Sequence, residues 1–109
     1  MNFEQIDVNQ VRELIRNESA ILVDIRDPHS YQAGHIEGAQ NLNDDNIEEF
    51  LKNSDRNAPL VIYCYHGISS QNAAHYFSSE ARFKRVFSMI GGYESWEQAD
   101  SPPTSFPEL

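Results

Sequence analysis

Cys64 is the side chain in this sequence best placed to act as a nucleophile. It is the single cysteine of the 109-residue chain. It sits in Tyr63-Cys64-Tyr65-His66-Gly67-Ile68-Ser69-Ser70, where an apolar run ends, a short loop turns and a helical pattern begins. Gly67 supplies backbone freedom in the turn, and Ser69 or Ser70 can cap the helix that follows. The N–H groups of such a loop can converge into an anion-binding concavity, and a helix N-terminus adds roughly half a positive charge. A cysteine at that spot is biased toward thiolate, with a pKa commonly lowered to roughly 3.5–7.5. The thiolate is the nucleophile. No Lys or Arg lies in the loop, so backbone dipoles must supply most of the stabilisation. The competing reading is an inert thiol buried as a small hydrophobe; the strand, Cys, Gly loop and helix in succession favour the reactive one.

His66 invites a Cys–His pair. It lies only two residues from Cys64 on a tight loop, so its ring is expected to project outward at the rim rather than serve as general base. His75, on the following helix, reads as a packed or surface residue. No two histidines have metal-ligand spacing and one cysteine cannot build a thiolate cluster, so neither a metal nor a cofactor is expected.

The elements that position Cys64 follow from hydrophobic periodicity. Asp7 and Gln10 can form a capping box ahead of a helix whose Val8, Val11, Leu14 and Ile15 share one face. Residues 20–24, 59–63 and 85–90 are short apolar runs of the kind found in parallel strands buried on both faces. Residues 39–42 are a weaker candidate. Helical segments lie between them at 29–33 (ended by Gly34), 45–52, 70–80 and 93–99. Strands alternating with helices indicate an α/β domain with a mostly parallel sheet. Such sheets bind ligands at the carboxyl ends of their strands. Cys64 and Asp24 each stand at the end of a predicted strand.

Bulk properties narrow the function. Eight basic and 17 acidic residues leave a formal charge of −9, which repels nucleic acid and anionic membranes at long range. With 39% hydrophobic and 23% charged residues, the composition is that of one globular domain over residues 1–109. Its core spans about residues 3–99, followed by a tail over 100–109. Pro102, Pro103 and Pro107 exclude regular helix from that tail. A lone cysteine cannot form an internal disulfide, the opening MNFEQIDVNQ has no secretory pattern, and no stretch reaches the ~18 apolar residues of a membrane span. A soluble protein of a reducing cytoplasm is the expectation.

Three segments resemble the rhodanese family, and within it the single-domain thiosulfate sulfurtransferases of the GlpE type. The first runs Val23-Asp24-Ile25-Arg26-Asp27-Pro28 and on through Tyr31, Gly34-His35-Ile36-Glu37-Gly38-Ala39 and Asn41. The second is Cys64-Tyr65-His66-Gly67-x-Ser69-Ser70, and the third is Gly91-Gly92-Tyr93-Glu94-Ser95-Trp96. All three stand in register over residues 23–96. The resemblance implies a rhodanese-like three-layer domain, a five-stranded mostly parallel sheet with helices on both faces. It also implies ping-pong transfer of a sulfane sulfur from thiosulfate. Cys64 would hold the sulfur as a persulfide bonded by N–H groups of residues 65–69, then pass it to cyanide or to a thiol such as reduced thioredoxin. With no second cysteine, the acceptor must be external. Asp24 and Arg26 are expected to brace loops as a carboxylate–guanidinium pair, His35 to tie a turn, Gly91 and Gly92 to permit a tight turn, and Trp96 to lie in the core.

Ile68 departs from this pattern, standing where GlpE-type loops usually carry Asn and removing a polar contact near the donor. Three rival readings remain. A phosphatase or arsenate reductase wants Cys-x5-Arg, and that position is Ser70. A persulfide carrier with a protein donor would share the chemistry and change only the source of sulfur. A non-catalytic interaction module is disfavoured by the retained Cys64.

Overall fold

The computed structural model describes residues 2–100. Along the chain the elements are β1 (Glu4–Ile6), α1 (Val8–Glu18), β2 (Ile21–Asp24), α2 (Pro28–Ala33), β3 (Gln40–Asn41), α3 (Ile47–Asn53), β4 (Leu60–Tyr63), α4 (Ser69–Ser79), β5 (Val86–Met89) and α5 (Gly92–Asp100). The five strands form one sheet in the order β1-β5-β4-β2-β3, and every neighbouring pair is parallel.

The three apolar runs become the inner strands because a strand buried on both faces can be apolar at every position. All four residues of β4 are fully buried. Their side chains alternate between the two faces. Leu60 and Ile62 join Val23, Val86, Phe50 and Phe77 in one core. Val61 and Tyr63 join Leu22, Phe87, Met89 and Val11 in the other. Helices α3 and α4 cover the first face through Phe50, Ala74 and Phe77; α1 and α5 cover the second through Val8, Val11, Tyr93 and Trp96. The result is the expected three-layer α/β arrangement.

Local signals hold at most element ends. The Gln10 amide donates to Asp7 Oδ1 and the Asp7 amide to Gln10 Oε1, both at 2.9 Å, which completes the capping box. Differences from the sequence reading have simple causes. β1 has no counterpart in the sequence pattern because it is three residues long and buries only Ile6; pairing with β5, not hydrophobicity, makes it a strand. Helix α4 begins after Ile68 and has no side-chain cap, so neither Ser69 nor Ser70 caps it; the Ser70 hydroxyl is engaged elsewhere. Trp96 is half-buried against the second core rather than within it, with the Arg12 guanidinium 4.3 Å above its ring. Pro102, Pro103 and Pro107 lie outside the described residues. None of the described helices is long and apolar enough to cross a membrane.

Candidate active site

Two strand ends build the site. β4 delivers Cys64 and leads through the 64–68 loop into α4; β5 delivers Gly91 and leads directly into α5. Cys64 is only 6% exposed. Its Sγ accepts the amide of Gly67 at 3.1 Å and that of Ser70 at 3.3 Å. Ser70 is the second residue of α4, so the sulfur sits at the positive end of that helix. Burial pushes the thiol pKa up. The Ser70 hydroxyl and the amides of Ser70, Gly67 and His66 pull it down, and together they prevail, holding it below that of an ordinary thiol. Hydrogen bonds to the anionic form act in this direction. Ser70 therefore does more than continue the loop: its amide bonds the sulfur one residue beyond the expected 65–69 span.

The loop is shaped by two close approaches. Gly67 has φ +87°, and a Cβ there would stand 2.7 Å from the Gly91 nitrogen and 3.1 Å from the Met89 oxygen. Gly92 has φ +63°, and a Cβ there would stand 2.5 Å from the Cys64 oxygen and from the Tyr65 carbonyl. That packing lets α5 clamp the loop: Tyr93 N–H donates to Cys64 O at 2.8 Å and Glu94 N–H to Tyr65 O at 3.1 Å. Gln71 Nε2 donates to Gly67 O at 2.9 Å.

Asp24 and Arg26 pair as the residue types suggest. Arg26 Nη2 donates to Asp24 Oδ2 at 2.7 Å and Nε to Oδ1 at 3.1 Å, while Nη2 also reaches Gly34 O at 2.6 Å. Asp24 is fully buried and the Arg26 side chain 5% exposed. The guanidinium lies 4.1 Å from the Tyr93 ring centroid, so the pair reaches the cysteine loop through Tyr93. His35 belongs to a separate turn. Its Nδ1 is 2.8 Å from Tyr31 O and its ring stacks on Tyr31 at 3.8 Å, while Tyr31 Oη donates to Ala39 O at 2.5 Å.

The remaining loop side chains face outward. His66 Nδ1 lies 3.2 Å from Glu94 Oε1, with both side chains largely exposed, and its ring tilts against Tyr65. Ile68 is 73% exposed and Tyr65 45%. Ser69 and His75 are also exposed. Among the described residues no group of three or more His, Cys, Asp or Glu could hold a metal ion. Two participants were missed in the sequence. One is the Tyr93 amide, which carries no sequence signal. The other is Ser88, whose hydroxyl lies 2.7 Å from that of Ser70; a lone hydroxyl in an apolar strand was the signal.

The family model of the Rhodanese-like domain matches residues 7–99. This chain belongs to the rhodanese-like family. Among the relatives of this rhodanese-like protein is the thiosulfate sulfurtransferase GlpE of Shewanella oneidensis, 44% identical over 100 residues, covering 92% of this chain and 98% of that one. The GlpE of Pseudoalteromonas translucida is 46% identical over 101 residues, covering 93% and 95%. Solved structures agree on the rhodanese fold. A rhodanese-related protein of Thermoplasma volcanium superposes with TM-score 0.75 at 24% identity, covering 92% of this chain and 96% of that one. A human single-domain sulfurtransferase gives 0.75 at 22% identity, covering 89% and 97%. In this rhodanese-like domain the position that phosphatases fill with arginine holds Ser70, whose amide bonds the cysteine sulfur.

Proposed function

We propose that this protein is a thiosulfate sulfurtransferase that carries a sulfane sulfur on Cys64. The observation that carries the reading is the seat of Cys64 Sγ at the N-terminus of α4, bonded by the Gly67 and Ser70 amides in a loop without Lys or Arg. It joins the family membership to a specific nucleophile. The Cys64 thiolate attacks the outer sulfur of thiosulfate. A new S–S bond forms to Cys64, and sulfite leaves with the electron pair of the broken one. The persulfide keeps a negative charge on its terminal sulfur, which inward-facing amides and a helix N-terminus favour as they favour the thiolate. Cyanide, or a thiol such as reduced thioredoxin, then attacks the terminal sulfur and the Cys64 thiolate departs. Among the described residues Cys64 is the free cysteine, so the acceptor is a separate molecule, as suits a reducing cytoplasm. Asp24, Arg26 and His35 hold the surrounding turns and take no part in the bond changes.

A second reading is favoured by one feature of the rim. The exposed Ile68 and Tyr65 side chains offer a small doubly charged donor little beyond backbone N–H groups, and suit a protein that delivers persulfide sulfur directly. Intact mass spectrometry separates the possibilities. After thiosulfate treatment the wild type gains the mass of one sulfur atom and Cys64→Ser does not; cyanide then removes it as thiocyanate. Loading by a cysteine desulfurase but not by thiosulfate supports the carrier. Loading by no sulfane donor overturns both.

A further inference from the structure

Ser88 is a polar residue in the interior of β5, within Val86-Phe87-Ser88-Met89. It is 1% exposed, and Ser70 is fully buried. Their hydroxyl oxygens are 2.7 Å apart. A hydroxyl withdrawn from water into a core is tolerated when hydrogen-bonded. β5 neighbours β4, with Ser88 opposite Ile62, and Cys64 follows β4 directly. Ser88 thus reaches the cysteine loop through Ser70, whose amide lies 3.3 Å from the sulfur and whose hydroxyl acts on the Cys64 thiol.

The direction of the hydroxyl pair follows from proton counting. Each serine has one O–H donor and two acceptor lone pairs. When the Ser70 proton is aimed at an anionic sulfur, Ser70 Oγ can only accept from Ser88, so Ser88 must be the donor. The reverse orientation gives the Ser70 proton to Ser88 and turns an oxygen lone pair toward the anion. If Cys64 is protonated, its S–H can donate to Ser70 and Ser70 to Ser88. The pair therefore responds to the charge on Cys64, and hydrogen bonds in series polarise one another.

We propose that Ser88 is a positioning residue: its hydroxyl donates to Ser70 Oγ and so holds the Ser70 proton on the anionic sulfur of Cys64. The proposal rests on Cys64 working as an anion but not on which donor supplies sulfur. Without Ser88, the Ser70 hydroxyl loses the donor that fixes its rotation.

The test reads Cys64 ionisation directly, without sulfur transfer, so its failure is distinct from failure of the sulfurtransferase reading. The pH dependence of alkylation by iodoacetamide is followed in the full chain, whose single cysteine gives no background. Ser88→Ala is expected to raise the apparent pKa of Cys64 by about one unit, the scale set by a hydrogen bond to a charged group. Ser88→Thr, which keeps the hydroxyl, restores the wild-type profile. In a Ser70→Ala background, Ser88→Ala adds no further shift. A wild-type profile in Ser88→Ala overturns the proposal even if that variant unfolds more easily, because it marks a merely structural role. A Ser88→Ala shift that adds in full to that of Ser70→Ala also overturns it. If Ser88→Ala does not fold, Ser88→Gly, which also lacks the hydroxyl, must show the same rise for the proposal to stand.

Discussion

The amide of Tyr93 donates to the carbonyl oxygen of Cys64 at 2.8 Å, tying the backbone of the candidate nucleophile to the first turn of α5. The sulfur is held by one helix and the carbonyl of the same residue by another. Backbone N–H groups at a helix start have no partner within the helix, and here two of them serve the cysteine loop. The contact exists because Gly92 has no side chain to keep the two backbones apart.

Replacing Gly92 therefore combines two penalties. A positive φ at a residue with Cβ costs of order 1–3 kcal/mol, and the Cβ would meet the Cys64 oxygen at 2.5 Å. Gly92→Ala is expected to lose at least about 2 kcal/mol in urea unfolding, together with most Cys64 alkylation reactivity at neutral pH. Gly38→Ala is the control. Gly38 has φ +89° but nothing within 4 Å of the would-be Cβ, so it should lose about 1 kcal/mol and keep full reactivity. Equal losses at the two positions would mean that the clash at Gly92 is relieved at no cost.

Arg26 neutralises a carboxylate that has no access to water. Arg26→Ala leaves the fully buried Asp24 without its cation, a change that typically costs about 3–5 kcal/mol. Arg26→Lys is expected to recover little, because one ammonium cannot reproduce a fork that bonds both carboxylate oxygens and Gly34 O. Urea unfolding of both variants measures this. Wild-type stability in Arg26→Lys would show that charge alone suffices.

Stability should also depend on the ionisation of Cys64. Its pKa is lowered in the fold, so between the folded value and that of an ordinary thiol the unfolded chain binds the extra proton. Stability therefore rises with pH through that window, and the contribution is absent below the folded value. The difference in unfolding free energy between wild type and Cys64→Ser is expected to grow as the pH is raised across the range below the ordinary thiol value of roughly 8.5. A difference flat across that range would indicate a thiol left unperturbed.

The cysteine loop was legible because its signals are local. A strand end, a glycine and a helix start lie within seven residues of Cys64, and their dipoles act on it whatever the rest of the chain does. The Asp24–Arg26 pair and the Asp7–Gln10 box are two and three residues apart, close enough for geometry to follow from spacing. β1 was not legible, since three residues with one buried side chain carry no periodicity. The capping role expected of Ser69 or Ser70 failed for a related reason. Which groups a buried hydroxyl meets depends on the neighbouring strand, and for Ser70 that partner is Ser88.

Sequence alone determined the α/β class, the candidate nucleophile, and the lack of a second thiol or an arginine in its loop. These rest on residue type, short spacing and the period of apolar side chains. The tertiary structure decided which donors reach the sulfur, how α5 grips the loop, and that the Ser88 hydroxyl meets that of Ser70. Those depend on the parallel register of β4 and β5 and on the close approach that Gly67 and Gly92 allow. They are contacts between segments far apart in the chain, and packing sets them, not local propensity.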